Sequence, residues 1–230
     1  MKVDFISQFG ASKAVTEAII MLPDIFISTD YATKTATEFA KEFNQPVFML
    51  DYFYQLTGQK NAFSPAEPDR PFELLQKMMG EDFTSIFQQC LRAIQGEYPA
   101  IKSLSVIGFC FGGRLAYLSG LEPMVKNIVS FYGAGAHQPN YIDGKTPIEA
   151  LIAARSGDAE LRVISFYGTQ DTTIPESDRD LTQKSLVQAK IAYTARRYAA
   201  GHAYFQPGRD NYDEAASQSS WQDLKELFKP

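Results

Sequence analysis

The sequence predicts an α/β fold, with a mainly parallel twisted sheet and helices on both faces. Three observations carry this. Short apolar, partly β-branched runs alternate with longer stretches whose apolar residues recur at helical spacing, the pattern of parallel strands joined by crossover helices. One junction, residues 104 to 120, passes from a buried strand through Gly108-Phe-Cys-Phe-Gly112 straight into a helix. A chain of 230 residues with 45% apolar content is enough for a three-layer core, and we expect one domain over 1–230.

The elements follow in order. Residues 3–9 fit an edge strand. Ala18-Ile-Ile-Met-Leu22 is a short buried strand that stops at Pro23-Asp24. Ser28 or Thr29 can cap a helix running to about Phe43, with Tyr31, Thr35, Phe39 and Phe43 on one face. Pro46-Val-Phe-Met-Leu50 is the next strand, ended by Asp51. Residues 57–71 hold Gly58, Pro65, Pro68 and Pro71 among polar residues and read as the most mobile loop. Residues 82–95 are helical, with Phe83, Ile86, Phe87, Leu91 and Ile94 facing one way. The strand at 104–109 and its helix come next, then a strand over 127–132. A long connection fills 133–160, with one short helix near 147–155. Arg162-Val-Ile-Ser-Phe-Tyr167 is a strand ending in Gly168-Thr-Gln-Asp171, followed by a helix over about 177–189. Residues 191–198 alternate as a strand does, and 210–228 closes the chain as a helix with Trp221, Leu224 and Phe228 inward.

Composition narrows the function. The net charge is −5 with no Lys/Arg run, which argues against nucleic acid or an anionic membrane as partner. An anionic substrate would need locally placed arginines. Two cysteines, Cys90 and Cys110, make no disulfide framework and fit a reducing compartment. Residues 1–8 show no leader-like apolar core, and no run is long enough to cross a bilayer, so the expected location is cytoplasmic. With only His137 and His202, no metal-ligand spacing appears, and neither metal nor cofactor is expected.

In such sheets function collects in the loops at the carboxyl ends of strands. Asp24, Cys110, Asp171 and His202 occupy those positions. Gly108-Phe-Cys-Phe-Gly112 has the form of a nucleophile elbow with Cys in place of Ser. A sharp strand-to-helix turn strains the nucleophile's backbone, and the flanking glycines let neighbouring backbone pass closely. The helix N-terminus that follows favours thiolate over thiol, and the Phe111 N–H is free to face a developing oxyanion. Alone, the pentapeptide also fits an inert Cys in a glycine-rich turn. Asp171 alone also fits a turn or cap, and His202 a core or loop histidine. Taken together they stand in the order nucleophile, acid, histidine, which is that of α/β hydrolases. Thiolate attack with imidazole as proton carrier, the ring oriented by the acid, needs these three residue types. His137 sits in a Gly/Ala/Gln/Pro loop and reads as surface or pocket lining. Cys90 lies among apolar helix neighbours and reads as core. Phe53, Tyr54, Phe109, Tyr132 and Tyr204 fit an apolar pocket or the core equally.

The chain resembles the dienelactone hydrolase family of α/β hydrolases over nearly its whole length. The resemblance rests on Val106-Ile-Gly-Phe-Cys-Phe-Gly-Gly113, Phe166-Tyr-Gly-Thr-Gln-Asp-Thr-Thr-Ile-Pro175, Gly201-His-Ala-Tyr-Phe205 and Asp210-Asn-Tyr-Asp213. It implies Cys110 as nucleophile, His202 as general base, Asp171 as its partner, and an oxyanion hole from the backbone N–H groups of Phe111 and Ile25. In one place the chain departs from the family. The family's Glu-Ile-Phe-Gly segment, whose Glu pairs with the resting thiol, reads Asp24-Ile-Phe-Ile27 here. Asp24 is one methylene shorter; as a modulator of the nucleophile it would hold the thiol protonated, and it also fits a plain turn residue after Pro23. Family arginines for a substrate carboxylate do not align cleanly; Arg70, in the expected loop, and Arg209 are the candidates, with Tyr204 as a further substrate contact.

The expected function is hydrolysis of a small ester, lactone or thioester through a Cys-His-Asp triad, by a monomer or homodimer. The rival is a non-catalytic small-molecule binding protein that retains the fold, motivated by the altered Asp24 segment. A redox sensor built on Cys110 is disfavoured because no resolving Cys is adjacent in sequence.

Overall fold

In the computed structural model, residues 4–10, 15–79, 81–139 and 143–228 are described. The apolar runs become strands β1 (Ile6–Phe9), β2 (Glu17–Leu22), β3 (Val47–Leu50), β4 (Ser103–Phe109), β5 (Val125–Phe131), β6 (Arg162–Gly168) and β7 (Ala192–Tyr198). They form one sheet in the order β1-β3-β2-β4-β5-β6-β7. β1 runs antiparallel to β3, and the other pairings are parallel. Val3 of the expected edge strand lies outside the described residues, as do 140–142 of the long connection.

The helices are α1 (Asp30–Phe43), α2 (Tyr54–Thr57), α3 (Asp69–Met78), α4 (Phe83–Glu97), α5 (Phe111–Ser119), α6 (Pro147–Arg155), α7 (Glu176–Gln188) and α8 (Glu214–Leu227). α1 and α8 cover one face of the sheet, while α3 to α7 contribute to the core on the other. Caps set several starts: Thr29 accepts from Ala32 N, and Asp213 from Ala216 N. On the first face Phe39 stacks between Phe109 and Trp221, and Phe43 stacks on Phe228, so the closing helix packs inward as its spacing predicts. No helix among the described residues is long and apolar enough to cross a membrane.

The expected loop over 57–71 needs correcting at both ends. Residues 54–57 form the single turn α2, and α3 begins at Asp69 with Pro68 as its N-cap. Pro71 sits in the first turn, where a missing N–H is harmless because that turn has no intrahelical acceptors. The prolines therefore start a helix rather than break one, and Leu74 and Met78 bury its inner face. The closing helix begins at Glu214 rather than 210, with Asp213 as its cap.

The register places the functional loops. Leu22 lies beside Gly108, Phe109 beside Phe131, Phe131 beside Phe166, and Gly168 beside Tyr198. The carboxyl ends of β2, β4, β5, β6 and β7 thus share one edge. The residues that follow them, Asp24, Cys110, Tyr132, Asp171 and His202, emerge above it.

Candidate active site

Cys110 joins β4 to α5 with φ 53° and ψ −117°, a left-handed conformation rarely adopted by a residue bearing a Cβ. The turn is possible because its neighbours lack side chains. A Cβ at Gly108 would collide with the Gly112 carbonyl, and one at Gly112 with the carbonyls of Leu22 and Pro23. The strain aims the partly exposed sulfur away from the sheet, and Cys110 N donates to Phe131 O at 3.0 Å.

Two loops bring the other groups to it. Thr169 N donates to Tyr198 O at 2.7 Å and Gln170 N to Ala200 O at 3.0 Å, tying the acid loop to the histidine loop. Asp171 Oδ1 accepts from Thr173 N at 2.8 Å and Ile174 N at 3.3 Å, which fixes the carboxylate. Its Oδ2 is left for His202 Nδ1, 2.7 Å away. His202 Nε2 stands 3.2 Å from Cys110 Sγ. The edge of one aromatic ring meets the face of the other where Tyr132 packs on the imidazole, their centroids 5.3 Å apart. Burial works against the imidazolium, but the charge of Cys110 and the bonds from Asp171 and Cys110 outweigh it and raise the His202 pKa to about 10. The structure thus brings Cys110, His202 and Asp171 into one hydrogen-bonded line.

Because Gly112 packs on Leu22 and Pro23, the turn after β2 lies against the N-terminus of α5. Phe111 is the first residue of α5, so its N–H has no intrahelical acceptor. Ile25, 4% exposed, sits in the adjoining turn. Among the described residues neither N–H is seen donating to another backbone carbonyl.

Asp24 does not bond the sulfur. Its Oδ1 accepts from Phe26 N at 2.9 Å, closing its own turn, and its Oδ2 is 3.9 Å from Arg209 Nη1. A side chain one methylene shorter than Glu caps its local backbone in preference to reaching across. Burial raises the Asp24 pKa, opposed by Phe26 N–H, Arg209, Gln206 and His202. Arg209 lies with its guanidinium carbon 4.6 Å from the Phe26 ring centroid, and its buried Nη1 has no hydrogen-bond partner among the described residues.

Two expected substrate contacts lie elsewhere. Arg70 is on the first turn of α3 rather than in a loop, about half exposed and paired with Glu73 at 2.7 Å. Tyr204 is fully buried. Ser220 Oγ donates to Ala216 O, so Tyr204 donates its hydroxyl proton to Ser220 Oγ at 2.8 Å. The cause is Ala203, whose φ of 61° turns the chain so that 202 faces the sulfur and 204 enters the core. Phe53, Phe109 and Tyr132 are core as well. His137 bonds Thr182 at 2.8 Å, and Cys90 is buried; neither joins the group. A groove of about 900 Å³ runs between α1 and α8, lined by Tyr31, Phe205 and Trp221, and it does not include the three bonded residues. Chemistry, not groove size, marks the candidate site. Sequence reasoning missed Phe26 and Gln206, whose roles arise only from contacts with Arg209 and Asp24.

The model of the dienelactone hydrolase family matches residues 8–230. A "putative carboxymethylenebutenolidase" of Synechocystis sp. is 27% identical over 92% of this chain and 85% of its own. Among solved structures, a "putative dienelactone hydrolase" of Klebsiella pneumoniae superposes with a TM-score of 0.76 at 20% identity, covering 95% of this chain and 88% of that one. A dienelactone hydrolase-like promiscuous phosphotriesterase from metagenomic libraries gives a TM-score of 0.68 at 20% identity, covering 95% and 87%. The structural likenesses identify the α/β-hydrolase fold.

Proposed function

The chain belongs to the dienelactone hydrolase family and is a hydrolase, and from that premise we propose that it cleaves a small carboxylic ester or lactone through Cys110, His202 and Asp171. One observation carries the proposal: the continuous line from Asp171 Oδ2 to His202 Nδ1 at 2.7 Å and from Nε2 to Cys110 Sγ at 3.2 Å. That is hydrogen-bond reach for a proton carrier and its orienting acid.

In this reading His202 holds the proton of the Cys110 thiol, and the sulfur attacks the acyl carbon. The carbonyl π-electrons move to oxygen, which is received by the N–H groups of Phe111 and Ile25. The tetrahedral intermediate collapses, the C–O bond breaks, and the imidazolium gives its proton to the leaving alkoxide. In a lactone the alkoxide remains tethered to the acyl group. Water then gives a proton to His202 and adds to the thioester, and the sulfur leaves with the carboxylic acid released. Asp171 holds the ring with Nδ1 protonated throughout. Thioesters are open to the same steps.

Arg209 is the proposed handle for an anionic group on the substrate: a charged donor with an unsatisfied buried nitrogen, flattened on Phe26 beside Asp24. Asp24 tunes the site through Arg209, not by contact with sulfur. Two unpaired cysteines suit a reducing, cytoplasmic setting, and the whole chain acts as one domain.

The test is a panel of short aryl esters, lactones and thioesters assayed with the natural chain, Cys110→Ser and Cys110→Ala, with mass spectrometry of the quenched reaction. A mass increase matching the acyl group on Cys110, and loss of turnover in Cys110→Ala, are expected. Full turnover by Cys110→Ala overturns the proposal.

A further inference from the structure

The turn that follows β2 is closed by local bonds, Phe26 N to Asp24 Oδ1 at 2.9 Å and Ile27 N to Asp24 O at 3.1 Å, yet it carries strain at its end. Ile27 has φ 59°, and it is β-branched and fully buried. Such a residue returns to negative φ unless its surroundings prevent it. Besides those local bonds, a strap of chain over residues 61–63 holds it. Ile27 forms an antiparallel bridge with Ala62, Ser28 N donates to Asn61 O at 3.3 Å, and Phe63 N donates to Phe26 O at 3.0 Å. The strap belongs to a connection without regular structure, so it needs an anchor of its own.

That anchor is Asp51, 6% exposed at the end of β3. Its Oδ2 accepts from Asn61 N at 2.7 Å, and Asn61 Nδ2 reaches Oδ1 and Oδ2 at 3.1 and 3.0 Å. Oδ1 also accepts from Phe53 N at 3.1 Å. Asn61 is itself 3% exposed. This buried carboxylate, with Thr57 Oγ1 and Gln59 O each 3.0 Å from Asn61 Nδ2, commits Asn61 to one place.

We propose that Asp51 is a positioning residue for the hydrolytic reaction: through Asn61 it anchors the 61–63 strap, which holds the strained turn at 24–28 and so aims the Ile25 N–H at the site beside Cys110. This rests on the reading of Ile25 N–H as an oxyanion donor. Asp51 touches neither substrate nor sulfur; its effect runs through main-chain geometry alone.

The test is Asp51→Asn, which sets an amide N–H₂ against the Asn61 amide and breaks the clasp at nearly constant volume. Two rates are read: kcat on an activated aryl ester, and alkylation of Cys110 by iodoacetamide, which uses the sulfur and imidazole but has no carbonyl oxyanion to stabilise. Each is measured in the natural chain and in an Ile27→Gly background, where positive φ needs no restraint. Asp51→Asn should lower kcat about ten- to hundredfold, less than the ~10²–10³ for outright loss of a donor. Alkylation should stay within about twofold of the natural chain, because the thiol–imidazole pair is untouched. In the Ile27→Gly background most of the kcat loss should disappear. An unchanged kcat, a parallel fall in both rates, or an equal loss in both backgrounds overturns the proposal. Where Asp51→Asn does not fold, Asn61→Ala, which keeps the main-chain half of the clasp, must give the same pattern at smaller size. Cys110→Ala in the same assay separates the two levels. If it stays active, the reading of Cys110 as nucleophile fails. If it is dead while Asp51→Asn behaves naturally, only this inference fails.

Discussion

His202 Nε2 lies 3.2 Å from Cys110 Sγ while Nδ1 of the same ring is held at 2.7 Å by Asp171. Both ring nitrogens are therefore committed before substrate arrives, and the imidazole has one way to face the sulfur. With the sulfur removed, Nε2 has no thiol to deprotonate. Cys110→Ala should cut ester turnover on the order of 10⁴-fold or more, with the far-ultraviolet circular dichroism unchanged. Cys110→Ser keeps the shape but gives a weaker nucleophile at neutral pH, and should retain a small measurable rate.

The pKa of His202 gives a pH signature. Burial disfavours its charged form, yet Cys110 and Asp171 raise it from 6.5 to about 10. A base whose pKa is raised by folding stabilises the fold fully below the unfolded value and loses that contribution as pH rises through the folded one. The difference in thermal stability between the natural chain and His202→Gln should therefore be greatest below about pH 6.5 and fade by about pH 10. Unfolding curves of both proteins across that range check it. A gap that does not change with pH would show that the ring is not charged in the folded site.

Arg209 should sort substrates by charge. Its buried Nη1 has no hydrogen-bond partner among the described residues, with Asp24 Oδ2 standing off at 3.9 Å, and its guanidinium carbon lies 4.6 Å from the Phe26 ring centroid. A hydrogen bond to a charged group contributes about 1.5–3 kcal/mol, or roughly ten- to hundredfold. Arg209→Gln should raise KM by about that factor for esters or lactones bearing a carboxylate and leave neutral aryl esters within about twofold. Paired kinetics on one acid-bearing and one neutral substrate decide it; equal loss on both would remove the handle.

Gly112 should tolerate no side chain. A Cβ there meets the carbonyls of Leu22 and Pro23, which are main-chain atoms in a buried strand end and cannot swing aside. Gly112→Ala should destabilise by about 2–3 kcal/mol and cut activity out of proportion, because the same clash pushes the Ile25 turn from Cys110. Gly144→Ala makes the contrast. It has open space around it, and only its φ of 71° opposes the change, so a cost of about 1 kcal/mol with normal kcat is expected. Denaturant melts and ester kinetics on both variants separate the two effects.

Much of the candidate site is legible in the sequence alone. Gly108 and Gly112 mark a turn whose sterics admit little else, and Asp171 and Gly201-His202 follow runs whose period reads as strands. Parallel pairing then brings strand ends together, because each crossover returns the chain to the same edge. What failed was local competition. Pro68 and Pro71 read as breakers but open α3, which moved Arg70 from a loop to an exposed helix turn. Ala203 takes positive φ without a glycine to announce it, which sent Tyr204 into the core. Asp24 closed its own turn instead of reaching Cys110. The Asp51–Asn61 clasp joins two loop residues ten apart with no periodic signal between them.

Asp171→Asn tests the acid most cleanly, because the change is nearly isosteric and its consequence is a matter of which nitrogen carries the proton. Oδ1 already accepts from Thr173 N and Ile174 N, so the asparagine oxygen is retained on that side. The amide nitrogen then takes the place of Oδ2 and presents N–H to His202 Nδ1. Two donors cannot face each other at 2.7 Å, so Nδ1 gives up its proton and Nε2 carries it. Nε2 then points a hydrogen at the sulfur and cannot accept one from the thiol. Acylation should fall on the order of 10⁴-fold with little change in fold stability or KM. Stopped-flow acylation with an activated ester, compared with Asp171→Ala, measures it. If Asp171→Asn retains acylation within about tenfold of the natural chain, the carboxylate only packs the loop and the ring's orientation is set elsewhere.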